Sequence, residues 1–112
     1  MEITKYSKRI QSFLKQEYGS EEEVKKALNL FKEEGESIAV TLGLEVSPEH
    51  DTLLELYAEH RIYSAMGNEK LATLKLEVFN KLLKSFVSVA EIKNKLKEIK
   101  KSQKKGMMIF NE

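Results

Sequence analysis

Residues 51–86, DTLLELYAEHRIYSAMGNEKLATLKLEVFNKLLKSF, decide the fold of this chain. Apolar residues recur at steps of three and four on both sides of Gly67-Asn68, which is the spacing of an α-helix with a buried face. A short turn between two helices makes them antiparallel neighbours. Since both segments are apolar over most of their surface, we expect this hairpin to form the centre of the fold.

Signals for helix ends divide the preceding fifty residues. Gly19 fits the end of a first amphipathic helix, because glycine readily adopts the left-handed conformation of a C-terminal cap. Ser20 and Glu23 form a capping box at the start of a second helix, and Ser47 is the natural N-cap of the third. Gly35 falls inside the second helix, where it predicts a bend or a close crossing with a neighbour.

The region after residue 86 predicts one more helix and a tail. Ser88 and Glu91 form a second capping box, so a separate fifth helix should begin there. Its apolar residues form a narrow stripe suited to docking one edge on a neighbour. The sequence therefore predicts an all-α fold, a bundle of four to five helices over residues 1–104, followed by a short extended C-terminal arm over residues 105–112.

Charge is unevenly distributed along the chain. The net charge of the 112 residues is only +1, but residues 21–69 contain twelve acidic and four basic side chains, and residues 70–112 contain eleven lysines and four glutamates. The two regions therefore carry net charges of −8 and +7. Opposite charges on two halves of one domain suit head-to-tail contact between copies, or they form two differently charged solvated faces.

The composition excludes several classes of protein. The chain has no cysteine, which removes disulfides and thiolate metal ligands. No apolar run approaches the roughly 20 residues needed to cross a bilayer, and the N-terminus lacks the apolar stretch of a secretory signal. We expect a single-domain intracellular protein without a membrane partner.

Candidate catalytic and metal-binding residues are few. His50 and His60 lie ten residues apart on one predicted helix, which is not the spacing of helical metal ligands. Neither follows a glutamate by three residues, as a carboxylate-bridged metal site in a helical bundle requires. Motifs for a serine nucleophile and for a phosphate-binding loop are missing too. We expect solvated or hydrogen-bonded surface histidines, no cofactor and no enzymatic activity.

Two tyrosines and an arginine lie close together on the third predicted helix. Tyr57, Arg61 and Ser64 form a stripe with Tyr63 nearby, and tyrosine and arginine together are residue types that protein interfaces favour. On the most apolar helix of a small domain, however, tyrosines usually belong to the core and keep their hydroxyl groups wet. We favour the core interpretation.

A lysine-rich stretch precedes the tail. Residues 93–105 contain seven lysines and one glutamate, a composition that attracts phosphate groups without sequence preference. No arginine or aromatic residue is interleaved, so we expect no sequence-specific contact with bases. The alternative to nucleic-acid binding is that these lysines form a solvated face of a terminal helix. The lysines that could face nucleic acid are Lys93, Lys97, Lys100, Lys101, Lys104 and Lys105.

The tail carries four consecutive apolar residues after Gly106. Their side chains suit a β-strand or an anchor peptide, and a lone strand is unstable in water. We expect them to pair with a sheet edge or fill a groove of another chain. A disordered terminus, or contact with the protein's own core, is the alternative. The predicted partner-binding residues are Met107, Met108, Ile109 and Phe110.

The order of these segments carries a resemblance to a known family. ALNLFKEEGESIAVTLGL at residues 27–44 and LLELYAEHRIYSAMG at residues 53–67 are followed by a long helix and a departing C-terminal arm. This succession resembles the small head–tail connector proteins of tailed bacteriophages, also called adaptor or head-completion proteins. The resemblance covers residues 21–86 by pattern and the tail by position.

The resemblance implies a structural virion protein. Members of the family form a ring, commonly of twelve copies, beneath the portal, and their C-terminal segments typically reach into the portal protein. DNA passes through the ring, so the lysines would make weak, non-specific contacts with it. The chain would join the portal to a tail or stopper protein, in the neck of the virion, after assembly in the host cytoplasm. The long lysine-rich helix departs from the family pattern and leaves open whether residues 88–104 belong to the bundle or to the arm.

Other classes of function remain open. The main alternative is a small bacterial regulatory module that binds DNA or a partner protein through its lysine-rich C-terminal helix. The third class is peripheral attachment to a membrane through the residues KKGMMIF, in which lysines contact the headgroups and apolar residues insert.

Overall fold

The computed structural model describes the backbone of residues 3–110 and the side chains of residues 3–100. Within these residues the protein is all-helical and contains no strand, as the sequence predicted. Two short 3₁₀ turns accompany four long helices. The α-helices are α1 (Lys8–Tyr18), α2 (Glu21–Thr41), α3 (Asp51–Ala65) and α4 (Glu69–Phe110), and the 3₁₀ turns are Ile3–Lys5 and Pro48–His50.

Local hydrogen bonds set the starts of the second and third helices. Ser20 Oγ accepts the backbone N–H of Glu23 at 3.3 Å, and this cap begins α2 where the sequence predicted. Ser47 begins the 3₁₀ turn that leads directly into α3, and its backbone N–H donates to His50 Nδ1 at 3.1 Å. The predicted start of the third helix is therefore confirmed, with one 3₁₀ turn added at its front.

Helices α3 and α4 run antiparallel. The turn between them contains Gly67, whose φ of 78° is one that glycine adopts without strain. Residues progressively earlier in α3 therefore contact residues progressively later in α4. These pairs are Glu59 with Lys75 (an ion pair of 2.8 Å), Tyr57 with Phe79 (ring centroids 5.2 Å apart) and His50 with Phe86 (ring centroids 4.6 Å apart).

Two apolar clusters form the core. The first joins α1, α2 and α3, and the second joins the end of α2 and the following loop to α3 and α4. Helix α3 contributes to both clusters, so it lies between α2 and α4 as the central element. The most completely buried side chains are Leu14, Val24, Leu28, Leu53, Ile62, Phe79 and Leu83.

Gly35 lets α2 cross α3 at close range. It is buried in the middle of α2, and a Cβ atom built on it would lie 3.0 Å from Tyr57 Cβ and 3.2 Å from Tyr57 Cγ. Because Tyr57 Cβ is fixed to the backbone of α3, it cannot rotate away. The lack of a side chain at Gly35 therefore permits the close crossing, which was one of the two possibilities predicted from the sequence.

Helix α4 is longer than the sequence predicted. It runs without a break from Glu69 to Phe110, so the predicted boundary at Ser88 and the separate fifth helix are wrong. No glycine or proline lies between Glu69 and Lys105, and a serine inside a helix costs less than about 0.7 kcal/mol. The predicted extended conformation of the C-terminal arm is also wrong, because residues 105–110 continue the helix.

Burial raises the pKa of two tyrosine hydroxyls. The pKa of Tyr6 rises above its usual range through burial, and the nearby carboxylates of Glu59 and Glu55 raise it further. Burial is also the largest cause of a raised pKa at Tyr57, and the Glu34 carboxylate raises it further. The Tyr57 hydroxyl donates a hydrogen bond to Glu34 Oε2 at 3.3 Å.

Replacing Gly35 by alanine should destabilise the protein. The gain in helix propensity is about 1 kcal/mol, but overpacking against Tyr57 costs about 1–3 kcal/mol, so we expect a net loss near 1 kcal/mol. Urea denaturation followed by circular dichroism measures it. Ser37→Ala, at an exposed site on the same helix, is the matched control. A Gly35→Ala protein as stable as this control would contradict the close crossing.

Alkaline pH should destabilise the fold through these two half-buried tyrosines. An ordinary tyrosine ionises near pH 10, so above about this pH unfolded chains lose protons that Tyr6 and Tyr57 keep in the folded state. Their stabilisation is complete below pH ~10 and falls as the pH rises further, because the folded state then binds more protons. Urea denaturation at stepped pH values measures the free energy of unfolding, which should fall less steeply with pH for Tyr6→Phe than for the wild type. Equal slopes for the two proteins would contradict a raised pKa at Tyr6.

Candidate functional site

Helix α4 presents two apolar faces. One face packs on α3 and includes the buried residues Ala72, Phe79 and Leu83. The second face, which we name the open stripe, consists of large apolar side chains that are 41–57% exposed. The residues of the open stripe are Leu74, Val78, Val89, Ile92, Leu96 and Ile99.

The open stripe keeps to one side of α4. The step from Leu74 to Ile99 corresponds to about seven turns at 3.6 residues per turn, so the two ends lie in register. The stripe is turned about a third of a turn away from Phe79, which faces α3. Residues 91–100 are all exposed, so α4 leaves the body of the protein near Ala90. The second half of the stripe therefore lies on a helix that projects from the body.

Lysines form one edge of the projecting part of the stripe. Lys93 and Lys100 each follow a stripe residue by one position, and Lys97 lies one turn from Lys93 and from Lys100, so the three exposed side chains share this edge. The other edge has mixed charge. Its residues are Glu91, Lys95 and Glu98. A surface that combines an apolar stripe with a basic edge favours partners that are apolar and acidic.

The structure brings together three of the six lysines that the sequence predicted to face nucleic acid. Lys93, Lys97 and Lys100 lie on the same side of α4 and are exposed. The side chains of the remaining predicted residues, both lysine and apolar, fall outside the described residues. These are Lys101, Lys104, Lys105, Met107, Met108, Ile109 and Phe110.

A groove of 390 Å³ lies where α4 leaves the body. Its lining combines apolar side chains with charges of both signs. The lining includes Leu44, Glu45, Glu49, Phe86, Lys93 and Lys97. Because an acidic loop and a basic helix line the same groove, the groove selects no particular charge on a ligand.

His50 is buried, whereas the sequence predicted a surface histidine. The side chain is only 4% exposed, its Nδ1 accepts the N–H of Ser47, and its ring packs edge-on against Phe86. His50 therefore stabilises the start of α3 and packs this end of α3 against α4. His60 agrees with the expectation of a hydrogen-bonded histidine, since its Nδ1 donates to the carbonyl oxygen of Ala72 at 2.8 Å.

The tyrosine and arginine of α3 form a polar network with α2. The Tyr57 hydroxyl donates to Glu34 Oε2, and Arg61 Nε lies 3.4 Å from the same oxygen. The Arg61 guanidinium also lies over the Phe31 ring, 5.2 Å from its centroid. Tyr57 is half-buried and Tyr63 packs against the first core cluster, which confirms the core interpretation. The network holds α2 and α3 together at the surface.

A second exposed apolar surface lies at the C-terminal end of α2. Ile38, Val40 and Leu42 are 37–55% exposed, and the exposed acids Glu33 and Glu36 lie one to two turns earlier. Ile38 and Leu42 lie one turn apart on the same side of the helix, and we name these two residues the α2 patch. Val40 lies beside Glu33 and Glu36 on the opposite side. Helical periodicity alone assigns Ile38 and Leu42 to the buried face, so sequence reasoning missed this surface. The last turn of α2 contains no basic residue of its own, but Lys93 and Lys97 of α4 line the groove beside Gly43 and Leu44, which follow it.

Among the described residues, no helix has the length and apolar content needed to cross a bilayer. The same part of the chain contains no group of three histidine or acidic side chains placed to hold a metal ion.

Comparison with protein-family models, with curated proteins and with solved structures finds no match to this chain. The resemblance to phage connectors therefore stays a prediction from the sequence. The function has to be inferred from the geometry of α4 and the α2 patch.

Polar substitutions in the projecting part of the stripe should leave the stability unchanged. Ile92→Gln with Leu96→Gln removes two exposed side chains from a helix and keeps good helix formers, so we expect a change below about 0.5 kcal/mol. Phe79→Ala should instead cost about 3–5 kcal/mol, because Phe79 is fully buried. Guanidinium denaturation measures the free energy of unfolding of both variants and of the wild type. A large loss in the double variant would mean that the stripe is packed within the protein's own fold.

Proposed function

We propose that this chain is a structural interaction protein, a connector that forms a ring and joins a phage portal to a tail or stopper protein. The observation that carries the proposal is the length of α4. From Glu91, where the described side chains become exposed, residues 91–110 continue as helix for about 30 Å at 1.5 Å per residue. A helix that leaves the body in this way carries its tip to where another molecule can contact it.

The helical backbone changes the expected mode of docking. Positions 107 and 110 follow Leu96 and Ile99 by eleven residues each, which is three turns to within about 20°. Met107 and Phe110 therefore continue the register of the open stripe, whereas the two residues between them occupy other sides of the helix. This register supports insertion of a helix into an apolar groove of the portal protein, in place of the strand pairing expected from the sequence.

The charge distribution supports the ring. The acidic region 21–69 and the basic region 70–112 of neighbouring copies would attract each other, and contact between unlike surfaces generates closed rings when the rotation allows. In this proposal residues 1–104 form the ring and residues 105–112 form the tip of the arm. Lys93, Lys97 and Lys100 would make weak contact with DNA in the channel. The ring would lie in the neck of the virion, commonly with twelve copies.

The location can be tested on purified virus particles from cells that carry the gene. An antibody against the chain, detected by gold labelling in electron microscopy, should mark the junction of head and tail. Label distributed over the capsid, or particles without label, would contradict the connector role.

Paired substitutions test the register of the tip. Met107→Ser with Phe110→Ser removes the two residues in register with the stripe, and incorporation into particles should fall at least tenfold. Met108→Ser with Ile109→Ser changes the same kinds of residue at other registers and should be incorporated normally. Quantitative immunoblots of purified particles measure both variants. Equal incorporation of the two would show that the helical register of the tip plays no part in docking.

The lysine edge supports a second candidate, a regulatory module that binds DNA. Lys93, Lys97 and Lys100 are exposed on one side of the projecting helix, where they would contact phosphates. Binding of random duplex DNA by the isolated chain, weakening steeply as salt rises, would favour this candidate. Replacement of the three lysines by glutamine should then abolish retention.

A further inference from the structure

We infer that α4 forms a coiled coil along its open stripe, and that the other helix of the coiled coil belongs to a different protein and carries acidic side chains beside its apolar residues. This inference rests on the proposed function and deepens it, because it states the chemistry of the surface that α4 would meet in the assembled particle.

The open stripe follows a seven-residue repeat. From Val78 to Ile99 the steps alternate strictly between four and three residues, which is the spacing of positions a and d in a heptad. The pattern lasts for three heptads, a length that indicates a coiled coil, and Ser85 is its only polar position. We name these positions the seam, and they are Val78, Leu82, Ser85, Val89, Ile92, Leu96 and Ile99.

The charged residues directly beside the seam are all lysines. In a coiled coil, positions e and g flank the seam and set the choice of partner. Glu91 and Glu98 occupy position c, which lies farther from the seam. A partner helix with acidic residues at its own e and g positions would therefore bring opposite charges together. The flanking lysines, all exposed, are Lys81, Lys93, Lys95 and Lys100.

Three of these lysines are free to select a partner. Lys93 lines the groove that it shares with the acidic loop before α3, so carboxylates of its own chain already lie near it. Lys81, Lys95 and Lys100 lie outside this groove. Among the side chains that the structure describes, none of these three forms an ion pair with a carboxylate.

A second copy of this chain is the poorer partner, because charge disfavours it. In a parallel pair of α4 helices, Lys95 of one copy would face Lys100 of the other. In an antiparallel pair, position g faces position g, so lysines would again face lysines. Like charges repel in both arrangements, whereas an acidic helix is attracted in either orientation.

A membrane surface also suits the seam less well than a helix does. The seam residues from Val89 to Ile99 lie within about 80° of one another around the helix axis, at 3.6 residues per turn. Such a narrow stripe is typical of a coiled coil, whereas a helix that lies in a bilayer interface buries a broader face, often with aromatic side chains. Residues 87–100 contain no aromatic residue.

Binding of two designed peptides to the full chain tests the inference. Both are labelled three-heptad helices with isoleucine and leucine at positions a and d, and they differ only in carrying glutamate or lysine at every e and g position. Fluorescence anisotropy at low salt should show that the chain binds the acidic peptide about tenfold or more tightly than the basic one. The preference should shrink in 1 M salt, where the screening length is about 3 Å.

Charge reversal beside the seam identifies the surface. The triple variant Lys81→Glu, Lys95→Glu and Lys100→Glu should prefer the basic peptide. The matched control reverses three exposed lysines elsewhere in the chain and should keep the preference of the wild type. Circular dichroism confirms that both variants keep their helices. The control substitutions are Lys8→Glu, Lys25→Glu and Lys84→Glu.

Removal of the apolar seam gives a second readout. Ile92→Gln with Leu96→Gln keeps every lysine, so it should weaken binding of the acidic peptide about tenfold or more if the seam packs against the peptide. Unchanged binding by this variant would mean that the lysines attract the peptide without a coiled coil, and it would overturn the inference.

Other outcomes would assign the stripe to a different occupant and would also overturn the inference. Equal affinity for the two peptides, together with self-association of the wild type that the glutamine variant loses, would point to a second copy. Failure to bind the acidic peptide, together with binding to anionic vesicles that the glutamine variant loses, would point to a membrane.

The connector role is judged separately by labelling of particles. Labelled particles from a chain that ignores the acidic peptide would keep the connector role and overturn only this inference. A chain that binds the peptide as expected but is missing from particles would instead be a docking protein of another assembly.

Discussion

The contacts of Tyr57 hold the three main helices in one arrangement. Its Cβ lies against the backbone of α2 at Gly35, its ring packs 5.2 Å from the ring of Phe79 on α4, and its hydroxyl donates to Glu34. One side chain of the central helix thus fixes the distance to α2 on one side and the position of α4 on the other. Since α4 carries the exposed stripe, the direction in which this surface points depends on a contact buried far from it.

Much of the fold was predictable because it depends on local signals. The caps at Ser20 and Ser47 and the turn at Gly67 act within a few residues, and each lies where the sequence predicted. The burial of His50 was missed because Phe86 covers it, and that residue lies on a different helix. The supposed boundary at Ser88 failed for a related reason. A capping box can begin a helix, but nothing in it stops a helix that is already running through good helix formers.

The candidate site was less predictable than the fold. The sequence identified the apolar residues of the last helix and the lysines beside them, but it assigned them to a separate element docked on a neighbour. In the structure, these residues continue the same helix as residues 69–90, and this helix holds the second half of the stripe away from the body. The α2 patch was invisible in the sequence because the periodicity that marks Ile38 and Leu42 as apolar does not show where the neighbouring helices end. Exposure of such side chains is set by the length of α3 and α4, which is a property of the assembled fold.

The order of packing along the chain has a consequence for how the protein is made. The principal interfaces join α1 to α2, α2 to α3 and α3 to α4, so each helix after the first packs on the segment synthesised just before it. Contacts between segments that are close in sequence need little loop closure and form rapidly. The chain can therefore fold stepwise as it emerges from the ribosome. Its central helix stays half-covered until the first part of α4 arrives, and at that moment the growing chain would be most vulnerable to aggregation.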